Sequence, residues 1–189
     1  MLKIHKMPTP NQQTDQKRTA LITGATGLVG AALVRQLLAS EHYEKVISVG
    51  RRPLDLEHDK LQNEVADLGD LPEMGEKWSP DDVFCCLGTT IKKAGSKEQF
   101  RKVDYDYVMN TARFAEKSGA KRFLVVSAVG ANVESSMFYS QVKGEVERDL
   151  KVLKLPEIHI FRPSMLLGDR KEFRLGEKIG GGLMWLAQP

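Results

Sequence analysis

A chain of 189 residues with 41% hydrophobic side chains is long enough for one globular domain with a full core, and a net charge of +3 with both signs interspersed makes no electrostatic case for a nucleic-acid partner. The two cysteines, Cys85 and Cys86, are adjacent, which disfavours a structural disulfide, and the histidines at 5, 42, 58 and 159 have no partner at metal-ligand spacing, so no metal site is expected. Met1–Arg18 is polar, without the apolar core of a secretory signal, and no apolar run is long enough to span a bilayer, so a cytoplasmic protein is expected.

Residues 1–17, with Pro8, Pro10 and a run of amides, read as a flexible tail, which leaves 18–189 as one domain. Thr19–Thr23 is a short apolar strand ending at glycines. Leu28, Val29, Ala32, Leu33, Leu37 and Leu38 recur at helical spacing. Lys45–Val49 is a second strand, closed by Arg51-Arg52-Pro53; Glu64–Asp67 is a weak third, and Asp82–Leu87 a fourth, closed by Gly88. Phe100, Val103, Tyr107, Thr111 and Phe114 place one face of a long helix on the sheet, with Gly119 as its C-terminal cap. Arg122–Val126 is the fifth strand. A loop through Gly130 and Ser136 leads to a helix over 138–153, then to a strand at Ile158–Phe161, a loop from Gly168 and a short helix over 177–186. Short apolar strands alternating with helices predict an α/β fold, a doubly wound parallel sheet of the Rossmann type.

Gly24, Gly27 and Gly30 sit between the first strand and the first helix. Glycines there permit a tight turn and let a pyrophosphate approach the backbone, while the helix N-terminus offers free N–H groups and a positive dipole end. At the end of the second strand, where an NAD site usually carries an acid for the ribose 2′-hydroxyl, stand Arg51 and Arg52. Planar, permanently charged guanidinium groups suit a 2′-phosphate, so NADP(H) is the expected cofactor. Tyr139 and Lys143 are spaced i, i+4 on a predicted helix, so they share a face, and an ammonium beside a phenol favours the phenolate. Such a tyrosine can exchange a proton with a substrate oxygen while hydride moves to or from nicotinamide. Ser127, at the C-terminal end of the fifth strand, is placed to bind the same oxygen. Tyr139, Lys143 and Ser127 are the catalytic candidates.

The glycine loop, Ser127 and the Tyr139/Lys143 pair resemble the short-chain dehydrogenase/reductase superfamily. More narrowly, Phe84–Thr90, Val103-Asp104, Asp106–Val108, Tyr139–Glu147 and Phe161-Arg162-Pro163 with Leu166-Leu167 and Asp169-Arg170 resemble its atypical members similar to Tat-interacting protein. The resemblance implies that Gly24, Thr26, Gly27, Leu28, Val29 and Gly30 form the pyrophosphate loop and that Arg51 and Arg52 take the 2′-phosphate. Leu87 and Gly88 would lie along adenosine and ribose, Tyr139 and Lys143 at the nicotinamide ribose, and Leu166 and Arg174 over the nicotinamide end. Two departures stand out. The Ser127–Tyr139 interval is short for the superfamily, and the chain stops at Pro189 where relatives continue, which predicts a truncated chain or an unusually open pocket. The function expected is an NADPH-dependent oxidoreductase acting on a small carbonyl or alcohol. The alternative is an NADPH-binding regulatory protein with little turnover, which would engage a protein partner. A nucleotide-sugar epimerase or dehydratase ranks last because its sugar-binding lobe needs more C-terminal residues.

Overall fold

The computed structural model describes residues 17–75, 77–164 and 166. In it six strands, β1 (Arg18–Thr23), β2 (Tyr43–Gly50), β3 (Leu61–Val65), β4 (Asp82–Cys85), β5 (Arg122–Val126) and β6 (Glu157–Phe161), run parallel in the order β3-β2-β1-β4-β5-β6. The chain starts at the centre, moves outward through β2 and β3, then returns to the other side of β1. That reversal opens a crevice beyond the C-terminal ends of β1 and β4, where doubly wound sheets hold ligands. The crossover helices cover both faces, which is why β4 is buried along its whole length and tolerates Val-Phe-Cys without alternation.

Helix α1 (Leu28–Ala39) buries Val34, Leu37 and Leu38 against Ala20, Ile22, Val46 and Phe84 on one face. On the other, α4 (Tyr107–Lys117) and α5 (Phe138–Leu150) contribute Val108, Phe114, Ala115, Val146 and Leu150 to a larger core with Leu21, Ile47, Val83 and Phe123. Lys60 donates from its ammonium to the carbonyls of Leu38 (3.3 Å) and Ser40 (2.9 Å), satisfying the last carbonyls of α1. At the N-terminal edge of the sheet, away from the crevice, the buried Asp82 carboxylate receives Arg122 Nε at 2.5 Å and the Tyr43 hydroxyl at 2.6 Å.

Several boundaries differ from the sequence pattern. The third strand lies at Leu61–Val65 rather than 64–67, because its pairing with Val46–Gly50 sets the register. The fourth ends at Cys85, so Leu87 lies in the following loop. The long helix runs on without a gap but is not regular α-helix throughout. After α2 (Ile91–Ala94) come α3 (Lys97–Arg101), a π-turn at Lys102–Asp106, and α4. The short helix expected over 177–186, and the loop from Gly168, lie outside the described residues.

Candidate functional site

The phosphate loop uses its three glycines in three ways. Gly24 turns the chain out of β1 with φ +78°, and a Cβ there would lie 2.5 Å from the Cys86 carbonyl carbon and oxygen, so the turn packs directly under the exit of β4. A Cβ on Gly30 would overlap the Gly24 carbonyl oxygen, so this residue sets how closely α1 approaches the turn. Gly27 is different: it is exposed, and a Cβ there would meet only the Gly24 oxygen at 3.3 Å and the Cys86 oxygen at 3.9 Å. It is also the N-cap of α1, with no side-chain cap and no acid in the first turn. The opening N–H groups of Leu28, Val29 and Gly30 therefore lack partners within the helix and face a position kept free of side chains. That cradle fits a pyrophosphate.

Gly24, Ala25 and Thr26 form one wall of a cleft whose other walls are Ser48–Arg52 at the end of β2, Leu68 and Leu87. The structure thus brings Gly24, Thr26, Arg51, Arg52 and Leu87 together; Gly88 follows Leu87 in the loop after β4 and is not among the lining residues. Arg51 and Arg52 are exposed and form no ion pair with a described residue. Arg51 acts over a longer range on Asp67, whose carboxyl is held below its usual value mainly by the Gly69 N–H.

The second half of the site is built on α5. Tyr139 stands in its first turn, half-buried, with its ring 5.8 Å from Phe100 of α3. One turn on, Lys143 is buried, and its ammonium lies 2.9 Å from Oδ1 of Asp104, itself 1% exposed, in an ion pair without the angle of a directed hydrogen bond. The other Asp104 oxygen accepts the backbone N–H of Thr89 at 2.8 Å. A single carboxylate in the π-turn thus holds both the lysine and the loop that follows Gly88. The same ammonium acts on the buried Cys85 thiol, which burial nevertheless pushes up. Cys86, half-buried, is pushed up to about 12 by burial, and both cysteines are free.

Ser127 does not join Tyr139 and Lys143. Its hydroxyl donates at 2.5 Å to Glu147, two turns beyond Tyr139 on α5 and about 12 Å away by helical rise. Glu147 is buried and also receives Arg162 Nε at 2.9 Å and, closer still, Arg162 Nη2. Burial would raise the Glu147 carboxyl, but Arg162 and Ser127 bring it below its ordinary value. Ser127, expected from sequence at the catalytic position, is thus tied to Glu147, which joins β5, α5 and the segment after β6. Lys143, expected from sequence to act on the Tyr139 phenol, is paired with Asp104. The loop between β5 and α5 crosses the helix at Gly144, where a Cβ would overlap the Asn132–Val133 backbone, and Asn132 N–H donates to the Ser140 carbonyl at 3.0 Å. Leu166 is half-buried beyond β6, and Arg174 lies outside the described residues.

Asp104, Glu147 and Arg162 were not legible as site residues. The signal for Asp104 was a charge at i+4 from Phe100 on the buried stripe of a helix, a placement that is costly unless paired.

Residues 24–172 match a family model described as NAD(P)H-binding. The chain belongs to this NAD(P)H-binding family. It is 41% identical over 177 residues to Protein HTATIP2 of Rattus norvegicus, covering 92% of this chain and 70% of that protein. It is 40% identical over 157 residues to the mitochondrial Protein FMP52 of Debaryomyces hansenii, covering 82% of this chain and 69% of that one. Among solved structures it is similar to the UDP-glucose 4-epimerase of Thermotoga maritima with UDP-glucose (TM-score 0.67, 18% identity, 82% of this chain and 58% of that one). The Bordetella bronchiseptica enzyme WbmG in complex with NAD gives a TM-score of 0.70 at 17% identity, over 91% of this chain and 62% of that one. The chain thus spans less than two thirds of either enzyme, and at these identities the likeness is one of fold.

The cytoplasmic expectation is corrected by the relatives, since the yeast proteins are named as mitochondrial. A polar N-terminal segment does not discriminate between the cytosol and an organelle. Among the described residues, no helix is long and apolar enough to cross a membrane.

Proposed function

We propose that this member of the NAD(P)H-binding family is an NADPH-dependent oxidoreductase acting on a small carbonyl or alcohol. The reading rests on one arrangement: the uncapped α1 N-terminus opens from the turn that lines the Arg51/Arg52 cleft, and Leu87 of that cleft lies in the loop that Asp104 ties to Lys143 on α5, one turn from Tyr139. Gly27, with the N–H groups of Leu28, Val29 and Gly30, binds the pyrophosphate, and Thr26 flanks it. Arg51 and Arg52 bind the 2′-phosphate and favour NADP(H) over NAD(H) by at least about tenfold, from roughly 1.5–3 kcal/mol per charge-assisted contact. Leu87 and Gly88 support the ribose side, and Leu166 and Arg174 border the nicotinamide end. The cofactor supplies or takes a hydride. The Tyr139 hydroxyl gives the carbonyl oxygen its proton in reduction and removes it in oxidation. Lys143, fixed by Asp104, orients the ribose, and Ser127, at the C-terminal end of β5, is the candidate to hydrogen-bond the same substrate oxygen.

A second reading is favoured by a specific observation: the lysine and the serine both have other partners, Asp104 and Glu147. This favours an NADPH-binding regulatory protein that engages a protein partner and turns over little. One series separates the two. The parent, Tyr139→Phe and Lys143→Ala are titrated with NADPH and assayed with aldehydes and ketones. The enzyme reading expects Tyr139→Phe to bind NADPH and lose at least ~100-fold in kcat, with Lys143→Ala weakened in both respects. Parent-level turnover by Tyr139→Phe would overturn the assignment of the proton donor. Tight binding without turnover in the parent puts the regulatory reading first.

A further inference from the structure

Beside the cofactor cleft lies a second hollow of about 220 Å³, between the outer face of α1 and the segment following Arg52. Its walls are Ala31, Val34 and Arg35 from the helix, and Leu54, Asp55 and Leu56 from the segment. At its mouth are Ala25 and Thr26, which also line the cleft that carries Arg51 and Arg52. The two depressions meet at the phosphate-loop turn.

The hollow is held open by the fold. Leu54 N–H donates to the Asn63 amide oxygen at 2.9 Å, and the Asn63 amide donates back to the Leu54 carbonyl at 3.4 Å, so a β3 side chain fixes the outer wall. In this otherwise mostly apolar lining Arg35 is exposed and forms no ion pair with a described residue, although Asp55 shares the hollow. A guanidinium left without an ion pair to the carboxylate in its own hollow, on the helix whose N-terminus receives the pyrophosphate, is available to an anion entering past Thr26.

We propose that Arg35 is a specificity-determining residue for the cofactor, approaching the 2′-phosphate from the α1 side while Arg51 and Arg52 hold it from the end of β2. This rests on the NADP(H) reading of the cleft and adds a third cation to it. Planar guanidinium groups converging on one phosphate from two elements discriminate against a ribose 2′-hydroxyl by both charge and geometry. The contribution of an exposed arginine is screened by salt, so the discrimination weakens as ionic strength rises.

The test is a binding series on the full chain, with NADPH, NADH, 2′,5′-ADP and 5′-AMP as probes and Arg35→Ala, Arg35→Lys and Arg51→Ala/Arg52→Ala as variants. Arg35→Ala is expected to lose about fivefold to tenfold in affinity for NADPH and 2′,5′-ADP, with NADH and 5′-AMP unchanged. Arg35→Lys is expected to recover part of the loss, and the gap between parent and Arg35→Ala narrows at high salt. The unfolding midpoint should not move, because the side chain is exposed. If Arg35→Ala keeps the parental NADPH:NADH ratio, or weakens both cofactors equally, the assignment is overturned. If the Arg51→Ala/Arg52→Ala variant also keeps that ratio, the 2′-phosphate is not bound in the cleft and the underlying reading falls with it. Loss of preference in that variant alone removes Arg35 and leaves the cleft standing.

Discussion

Replacing Asp104 with alanine tests the buried pair that it forms with Lys143. At 2.9 Å, with both side chains no more than 6% exposed, the gross attraction at an effective dielectric constant of about 20 is roughly 6 kcal/mol. Most of that offsets the cost of taking two charges out of water, so the intact pair contributes little net stability. Breaking it is another matter. Asp104→Ala leaves the Lys143 ammonium buried without its partner and removes the acceptor for Thr89 N–H, so stability should fall by about 3–5 kcal/mol. That is a large share of the roughly 5–15 kcal/mol expected for a domain. Asp104→Asn can still accept from Thr89 but turns an uncharged amide toward the lysine, and it should lose most of the same amount. Urea unfolding at neutral pH reads both variants, with m tracked to detect any change in the unfolded state. The double substitution Asp104→Leu/Lys143→Met removes both charges and should recover most of the loss. Single variants within about 1 kcal/mol of the parent, or a double variant no better than the singles, would refute the claim that an unpaired buried charge is what costs.

Two further expectations follow from contacts around α5. Gly144→Ala forces a methyl group into the Asn132–Val133 backbone, so a loss of about 1–3 kcal/mol is expected, together with faster amide exchange at Asn132; an unchanged unfolding midpoint would mean that the loop gives way freely. The Glu147 carboxyl is held below its ordinary value in the folded chain, so its stabilisation is present above the unfolded value of 4.5 and is lost as pH falls through the folded one. Glu147→Gln should therefore flatten the acid limb of a stability-against-pH curve, and an identical limb in the variant would assign acid sensitivity to other carboxyls.

The ligand-binding half of the molecule was the most legible from sequence because its signals are local. A glycine turn between an apolar strand and an amphipathic helix, and two arginines where a strand ends, each occupy a few consecutive residues. The half built on α5 depends on contacts distant in sequence. Ser127 stands at a strand end beside the crevice, as expected, but only the packing of α5 shows that its hydroxyl is taken by Glu147, which Arg162 from beyond β6 also binds. The π-turn within the long helix was equally hidden: Phe100, Val103, Tyr107 and Phe114 fit a regular spacing closely enough to conceal one wide turn. Asp104 looked like an ordinary helical charge until Thr89 and Lys143 were brought to it by other elements.

The π-turn at Lys102–Asp106 bears on which insertions and deletions the chain can accept. A π-turn holds one more residue than an α-turn, and each helical residue advances the chain by about 100°. Deleting one residue there would let the segment close into regular α-helix and rotate α3 by that angle relative to α4. Phe100, fully buried and in contact with the rings of Phe138 and Tyr139, would swing out of the core. A one-residue gap that an exposed loop absorbs without consequence would here detach the tyrosine from its support, so length in this segment is constrained as tightly as residue identity.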